Sequence, residues 1–180
     1  MKRFILIGML LSAAWVFVCG CKESGSAKTL EVWSVQPGSV QIDRDGSGIF
    51  TRAIEHFNRV YPDITVNLVI MEDDAYRQKL AEAAVLDQMP DLFFTWTGSS
   101  VCEYASNNQI MDLTQYMSVH EFRDNFPDAA ILQVTYQGRI WGVPVANVYA
   151  GTSGYGFYHV SASSRNPVKA FELLTFLMDN

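Results

Sequence analysis

The stretch ITVNLVIMEDDAYRQKLAEAAVLDQMPDLFF, residues 64–94, decides the fold of this chain. Its opening segment, Ile64 to Met71, is rich in Val and Ile and is typical of a β-strand. A helix is predicted next, with Asp73 or Asp74 as its N-cap. The apolar face of that helix consists of Tyr76, Leu80, Ala83 and Ala84. The stretch ends in Leu92-Phe-Phe94, a continuous apolar run that indicates a strand buried on both faces.

Strand and helix also alternate upstream of this stretch. Leu30 to Ser34 has the period-two alternation of a short strand. Gly46-Ser-Gly48 precedes a predicted helix that Pro62 ends. The apolar stripe of this helix consists of Phe50, Ile54, Phe57 and Tyr61. Three strands separated by two helices predict a βαβαβ core with right-handed crossovers, and therefore the α/β class.

Further elements are predicted downstream. A short helix is expected through Cys102, which we interpret as a small core residue. The segment Tyr136-Gln-Gly-Arg-Ile140 is typical of a hairpin, and Phe157 to Ser161 of a strand. Asn166 precedes a proline, the favoured start of a helix, and this last helix is predicted over Pro167 to Met178.

Composition excludes some functions. The 180 residues are 49% apolar and carry a net charge of −6, with a pI near 4.9. Because binding to phosphates needs clustered Lys and Arg, no nucleic-acid partner is expected. His56, His120 and His159 are far apart in sequence and show no metal-ligand spacing, so no metal and no cofactor is expected.

The N-terminus has the pattern of an export signal. Lys2 and Arg3 precede a 15-residue uncharged stretch, Phe4 to Val18. This stretch is shorter than the about 20 residues that a membrane-spanning helix needs, and its length is typical of a secretory signal. The following Val18-Cys-Gly-Cys21 resembles the lipobox of bacterial lipoproteins. A plain secretory signal and a single membrane anchor are the alternatives.

The lipobox resemblance predicts residues 1–20 as a signal peptide, with lipidation at Cys21. Residues 21–28 are small and polar and would be a flexible tether to the membrane. Loss of Lys2 and Arg3 with the signal peptide would change the formal net charge from 13 − 19 = −6 to 11 − 19 = −8. A more negative protein suits a neutral solute better than an anionic one. Cys102 would be the one remaining thiol, so no disulfide framework is expected.

Several motifs after the tether resemble, in order, those of the extracellular solute-binding proteins of ABC importers, in the sugar-binding group that includes maltose-binding protein. The strongest is Gly138-Arg-Ile-Trp-Gly-Val-Pro144, similar to the family's G-K-x-Y-G-V-P. The others are Leu30-Glu-Val-Trp33, Phe57-Asn-Arg-Val-Tyr-Pro62, Ile64-Thr-Val66, Pro90-Asp-Leu-Phe-Phe94, Asp112-Leu-Thr114 and Asn166-Pro-Val-Lys-Ala-Phe-Glu-Leu-Leu174. The resemblance implies a periplasmic-binding-protein-like α/β fold, ABC permease subunits as partners, and binding without catalysis.

The sequence departs from this family in length. Family members run through most of a second lobe between the G-V-P stretch and the last helix, whereas here only Val145 to Gly151 lies between that stretch and the glycine-rich strand. We therefore interpret residues 29–145 as the first lobe, 146–153 as a shortened junction, and 154–180 as the strand and helix that return to the first lobe. The second lobe is largely absent in this interpretation.

The resemblance places a ligand at the carboxyl ends of the strands, where open α/β sheets bind ligands. A sugar needs an aromatic ring against its C–H face and polar groups on its hydroxyls. Trp96 fits the first need best, and Trp33 is second. The remaining candidates are Ser34, Gln36, Thr95, Thr97, Trp141 and Asn147. Trp141 could equally serve a hinge or pack in the core.

Three functions follow from these patterns. The first is a lipid-anchored protein on the outer face of the bacterial cell membrane, which captures a sugar or oligosaccharide for import. The second is a scaffold lipoprotein that keeps one lobe and has lost transport. The third, an extracellular hydrolase, lacks an assembled nucleophile, since Ser99 and Ser100 have no G-x-S-x-G context.

Overall fold

The computed structural model of the chain describes residues 29–35, 48–96, 99–119, 122–149 and 152–178. Its strands are β1 (Thr29–Val35), β2 (Thr65–Met71), β3 (Leu92–Thr95), β4 (Thr135–Tyr136), β5 (Arg139–Ile140), β6 (Val143–Tyr149) and β7 (Thr152–Val160). Its α-helices are α1 (Ile49–Val60), α2 (Asp73–Leu86), α3 (Ser99–Ser106), α4 (Thr114–Val119), α5 (Asp128–Gln133) and α6 (Pro167–Met178), with a 3-10 turn at Phe122–Asn125.

Five strands form one sheet in the order β2-β1-β3-β7-β6. Strand β1 is parallel to both β2 and β3, which confirms the predicted βαβαβ core. Strand β7 is antiparallel to β3 and to β6, so β6 runs in the same direction as β1, β2 and β3. The carboxyl ends of these four strands therefore share one edge of the sheet, which we call the carboxyl edge.

The helices cover both faces of the sheet. Ser34 and Trp33 are neighbours on β1 and therefore face opposite sides. Ser34 bonds to Tyr158, whose ring packs on Phe50 of α1, while Lys79 of α2 lies 4.3 Å from the centre of the Trp33 ring. Helices α1 and α2 thus pack on opposite faces, and the buried apolar residues between helices and sheet form the core.

The last strand and helix return to the sheet formed by the first half of the chain. Strand β7 pairs with β3 over Leu92↔Val160 to Thr95↔Phe157. Helix α6 has the predicted bounds and packs on α1, with the rings of Phe57 and Phe176 5.8 Å apart. Strand β6 reaches Tyr149 and pairs with β7 as far as Tyr149↔Thr152, so the segment interpreted as a short junction is mostly a β-ladder.

Two local predictions are wrong. Glu72, in extended conformation, is the N-cap of α2, and Asp73 and Asp74 lie in its first turn, where their carboxylates favour the helix dipole. Cys102 is exposed rather than a core residue. Among the described side chains of α3, Val101 and Ala105 are buried, four residues apart on one face, and Cys102 falls outside that stripe.

The hairpin prediction is confirmed, since β4 and β5 pair antiparallel around Gln137 and Gly138, which both have positive φ. Within the described residues, no helix has the length and apolar character that crossing a membrane requires.

Candidate functional site

Trp96 lies directly after β3, at the carboxyl edge. Its ring makes edge contacts with Tyr76 and Phe94, at centroid distances of 5.4 and 5.6 Å. The guanidinium carbon of Arg77 lies 3.6 Å from the centre of the indole and covers one of its faces. The side chain is half-buried, so part of the indole stays accessible at the edge where the sequence places a ligand.

The Tyr76 hydroxyl holds the strand that precedes Trp96. It donates to the Phe94 carbonyl at 2.7 Å and accepts from the Phe94 amide at 2.8 Å, and the side chain is fully buried. These two bonds lie near the gap between β1 and β3. After β1 the chain forms β2 on one side of β1, and it then crosses over to form β3 on the other side. Such a switch point opens a crevice at the strand ends. The helical spacing alone predicts Tyr76 only as part of an apolar face.

A pocket of about 410 Å³ opens beside Trp96, between α2 and α3, and we call it the Trp96 pocket. It is lined by Arg77, Leu80, Ala81, Thr95, Trp96, Ser100 and Tyr104. Burial and the neighbouring Glu103 carboxylate raise the pKa of the Tyr104 hydroxyl, which therefore remains a hydrogen-bond donor at neutral pH. The pocket combines an aromatic wall, an apolar wall, hydroxyls and one guanidinium.

His159 connects β3 to the segment that contains Trp141. Its Nε2 lies 2.9 Å from the Thr95 hydroxyl, and its Nδ1 lies 2.8 Å from the Trp141 carbonyl. Because a carbonyl can only accept, Nδ1 carries the proton and Nε2 accepts from Thr95. Burial lowers the pKa of His159 to about 4, so the ring is neutral at pH 7. Sequence reasoning missed this role, because the three residues are far apart in the chain.

Gly142 makes the close approach to His159 possible. A Cβ at this position would lie 2.7 Å from Cε1 and 2.8 Å from Nδ1 of the imidazole, closer than real Cβ atoms come. Trp141, beside it, is half-buried and donates from its indole nitrogen to the Tyr136 carbonyl at 3.0 Å. Trp141 therefore belongs to the packing between the β4–β5 hairpin and the sheet, and its ligand role stays a prediction.

Two predicted hydroxyl partners point into the protein. The Ser34 hydroxyl is 2.7 Å from that of Tyr158, and the Thr95 hydroxyl bonds to His159. Both side chains are 3% exposed. Their hydroxyls thus satisfy buried partners across the sheet, and contact with a ligand stays a prediction for both.

Trp33 lies in a different pocket from Trp96. It lines a cleft of about 530 Å³ with Glu31, Asp91 and Arg165, near the amino ends of β1 and β3. Its indole nitrogen donates to Glu31 at 3.0 Å, and the ring is 8% exposed. The structure therefore does not bring Trp33 and Trp96 together.

Other predicted positions are described in part or not at all. Gln36, Thr97 and Cys21 lie outside the described residues. Asn147 lies in β6 at the carboxyl edge, opposite Gly154, and its side chain lies outside the described part. Among the described residues, no three His, Cys, Asp or Glu side chains are grouped to hold a metal ion.

A larger cleft of about 700 Å³ lies away from the carboxyl edge, between α4, α6 and the end of α1. Its aromatic lining consists of Tyr61, Tyr116, Phe122, Phe171 and Phe176. Sequence reasoning did not indicate it, because its rings come from four separate segments.

Comparisons with known proteins agree with this fold. Over 149 residues the chain is 24% identical to YcjN of Escherichia coli strain K12, assigned as an ABC transporter periplasmic-binding protein. The match covers 81% of this chain and 33% of YcjN. No protein-family model matches the sequence.

Solved structures share the fold at low identity. A solute-binding protein of an ABC transporter from Thermotoga lettingae, bound with α-D-tagatose, superposes with a TM-score of 0.55 at 24% identity, over 67% of this chain and 29% of that one. A chitin oligosaccharide binding protein superposes with a TM-score of 0.56 at 18% identity, over the same shares, 67% and 29%. The resemblance to ABC solute-binding proteins is confirmed, and the chain spans about a third of the length of these relatives.

Proposed function

We propose that this chain is a non-catalytic solute-binding protein of an ABC importer that captures a sugar or an oligosaccharide. The observation that carries the proposal is the carboxyl edge. Four strands that run in one direction end there, and Trp96 follows β3 at that edge. The solved structures that share this fold include proteins bound with or named for sugars. Proteins of this kind bind without catalysis, so no reaction is assigned.

The proposed contact is stacking of a sugar on Trp96 inside the Trp96 pocket. Arg77 covers one face of the indole, so the sugar would meet the remaining accessible part of the ring. Tyr76 fixes the backbone before Trp96, and the T-shaped contacts with Tyr76 and Phe94 fix the ring. A rigid aromatic group loses little conformational entropy on binding, which favours affinity.

Export and anchoring belong to the same proposal. The lipobox at Val18 to Cys21 would attach the protein to the outer face of the membrane, close to the permease subunits that are its proposed partners. In this proposal residues 29–145 are the first lobe, 146–153 are a junction built mostly of the β6–β7 ladder, and 154–180 are the returning strand and helix. Globomycin, which inhibits the lipoprotein signal peptidase, should leave the unprocessed precursor; unchanged processing would refute anchoring at Cys21.

Isothermal titration of the purified protein with a panel of mono- and oligosaccharides tests the binding. At least one saccharide should bind, and Trp96→Ala should weaken it about tenfold, which corresponds to about 1.4 kcal/mol. Trp33→Phe is the matched control, because Trp33 lines a different pocket and should leave the affinity unchanged. A folded protein that binds no saccharide would refute the proposal and favour the scaffold lipoprotein.

A further inference from the structure

We propose that the Trp96 pocket takes a sugar of the uronic-acid class, and that Arg77 recognises the carboxylate of that sugar. This inference rests on the proposed function, because it assumes that a sugar binds at Trp96. Arg77 would then be a residue that determines the specificity of the pocket, which no pattern in the sequence indicates.

The charge of the pocket is the first observation. Of its seven lining residues Arg77 alone is charged, and no carboxylate of a described residue lines it. The Asp73 carboxylate pairs with this guanidinium from outside the lining, and the Glu103 carboxylate lies beside Tyr104. An anion would therefore be favoured by direct hydrogen bonds to Arg77 and not by the net charge around the pocket. The net charge of −6 does not oppose this, because charges farther away than about 8 Å are largely screened at physiological salt. The preference therefore has to come from the hydrogen-bond donors of Arg77 that the Asp73 pair leaves free.

The geometry of Arg77 is the second observation. Its Nε donates to Asp73 Oδ1 at 3.0 Å and its Nη2 to Oδ2 at 3.4 Å. Together with the 3.6 Å contact to the Trp96 ring, this pair fixes the guanidinium at the pocket wall. A guanidinium has five N–H donors, so three remain after these two bonds and can serve a ligand carboxylate in the planar geometry that arginine favours.

The other walls suit the rest of a sugar. Trp96, Leu80 and Ala81 offer aromatic and apolar surface to the C–H face, and the Tyr104 hydroxyl is a donor for a ring oxygen or a carboxylate. The volume of about 410 Å³ lies within the range of roughly 300–1,000 Å³ that is typical of small-molecule sites. The carboxylate, the ring face and a ring oxygen of the sugar thus each have a partner of matching chemistry.

The test compares sugars that differ only in the carboxylate: galacturonic acid with galactose, glucuronic acid with glucose, and digalacturonic acid with galactobiose. Isothermal titration of the purified protein at low salt should show the acid of at least one pair binding about tenfold more tightly than its neutral partner. Arg77→Gln should abolish that preference, and Arg77→Lys, which keeps the charge without the planar fork, should reduce it.

Arg139→Gln is the matched control. Arg139 is also an exposed arginine paired with a carboxylate, Asp112 at 3.4 Å, but it lies on β5 outside the pocket, so this variant should keep the preference. Neutral sugars that bind as tightly as the acids, or an Arg77→Gln protein that still prefers the acids, would overturn this inference and leave the proposed function standing. A folded protein that binds neither member of any pair would overturn both.

Discussion

The stability of this protein should fall between pH 6.5 and pH 4 because of one buried histidine. His159 is fully buried, and its pKa is lowered to about 4 from the ordinary value of 6.5. In the unfolded chain the imidazole takes up a proton near pH 6.5, whereas in the folded protein it stays neutral until about pH 4. The unfolded state therefore binds more protons in this interval, and acid favours unfolding.

The difference of 2.5 pKa units corresponds to about 3 kcal/mol, at 1.36 kcal/mol for each unit. This contribution is fully present above about pH 6.5, and it is lost progressively as the pH falls toward 4. It is a large share of the roughly 5–15 kcal/mol that stabilises an ordinary domain. The burial of His159 alone should thus dominate the pH dependence of the free energy of unfolding between pH 6.5 and pH 4.

Urea denaturation followed by tryptophan fluorescence measures the effect at several pH values from 7.5 to 4.5. His159→Gln removes the titrating ring, so the free energy of unfolding of wild type minus that of the variant should decrease by about 2.5 kcal/mol between pH 7.5 and 4.5. Subtracting the two free energies of unfolding cancels the contribution of the carboxylates, because both proteins contain the same ones. His56→Gln, which removes an exposed histidine, should keep the wild-type slope. If His159→Gln shows the same slope as wild type, the reasoning is refuted.

Three further predictions concern Gly142, Tyr76 and Cys102. Gly142→Ala should destabilise the protein by about 1–3 kcal/mol in urea melts, because its Cβ would overlap the His159 ring; a neutral effect would contradict the close approach. Tyr76→Phe should cost about 1–3 kcal/mol and shift Trp96 emission, because it leaves the buried Phe94 amide and carbonyl without this partner; unchanged stability would contradict the bridging role. Cys102 should react with Ellman's reagent without denaturant, and protection of that thiol until unfolding would contradict its exposure.

The sequence predicted the core of the fold because hydrophobic periodicity is a local property. The spacing of Tyr76, Leu80 and Ala83 defines a helix face, and these three residues are buried on α2. The all-apolar run at Leu92 is buried over the whole of β3. The start at Pro167 is also local, since proline favours the first turn of a helix.

The candidate site could be predicted only in part. Trp96 follows a buried strand, and local pattern alone puts it at a strand end. The sequence could not show that Arg77 covers its ring, because nineteen positions separate the two residues and their contact depends on how α2 packs against β3. The different pocket of Trp33 likewise follows from side-chain direction and packing rather than from sequence spacing.

By itself the sequence determined the alternation of strands and helices, the parallel core, the likeness to ABC solute-binding proteins and the position of Trp96 at a strand end. The tertiary structure decided the pairing of β7 with β3, the burial of Ser34 and Thr95, and the bonds from His159 to Thr95 and Trp141. The physical reason is the separation along the chain between the residues that determine each property. Periodicity is fixed by neighbours within one helix turn or strand, whereas a buried hydroxyl or imidazole acquires its partner only when segments 64 and 18 residues away are packed against it.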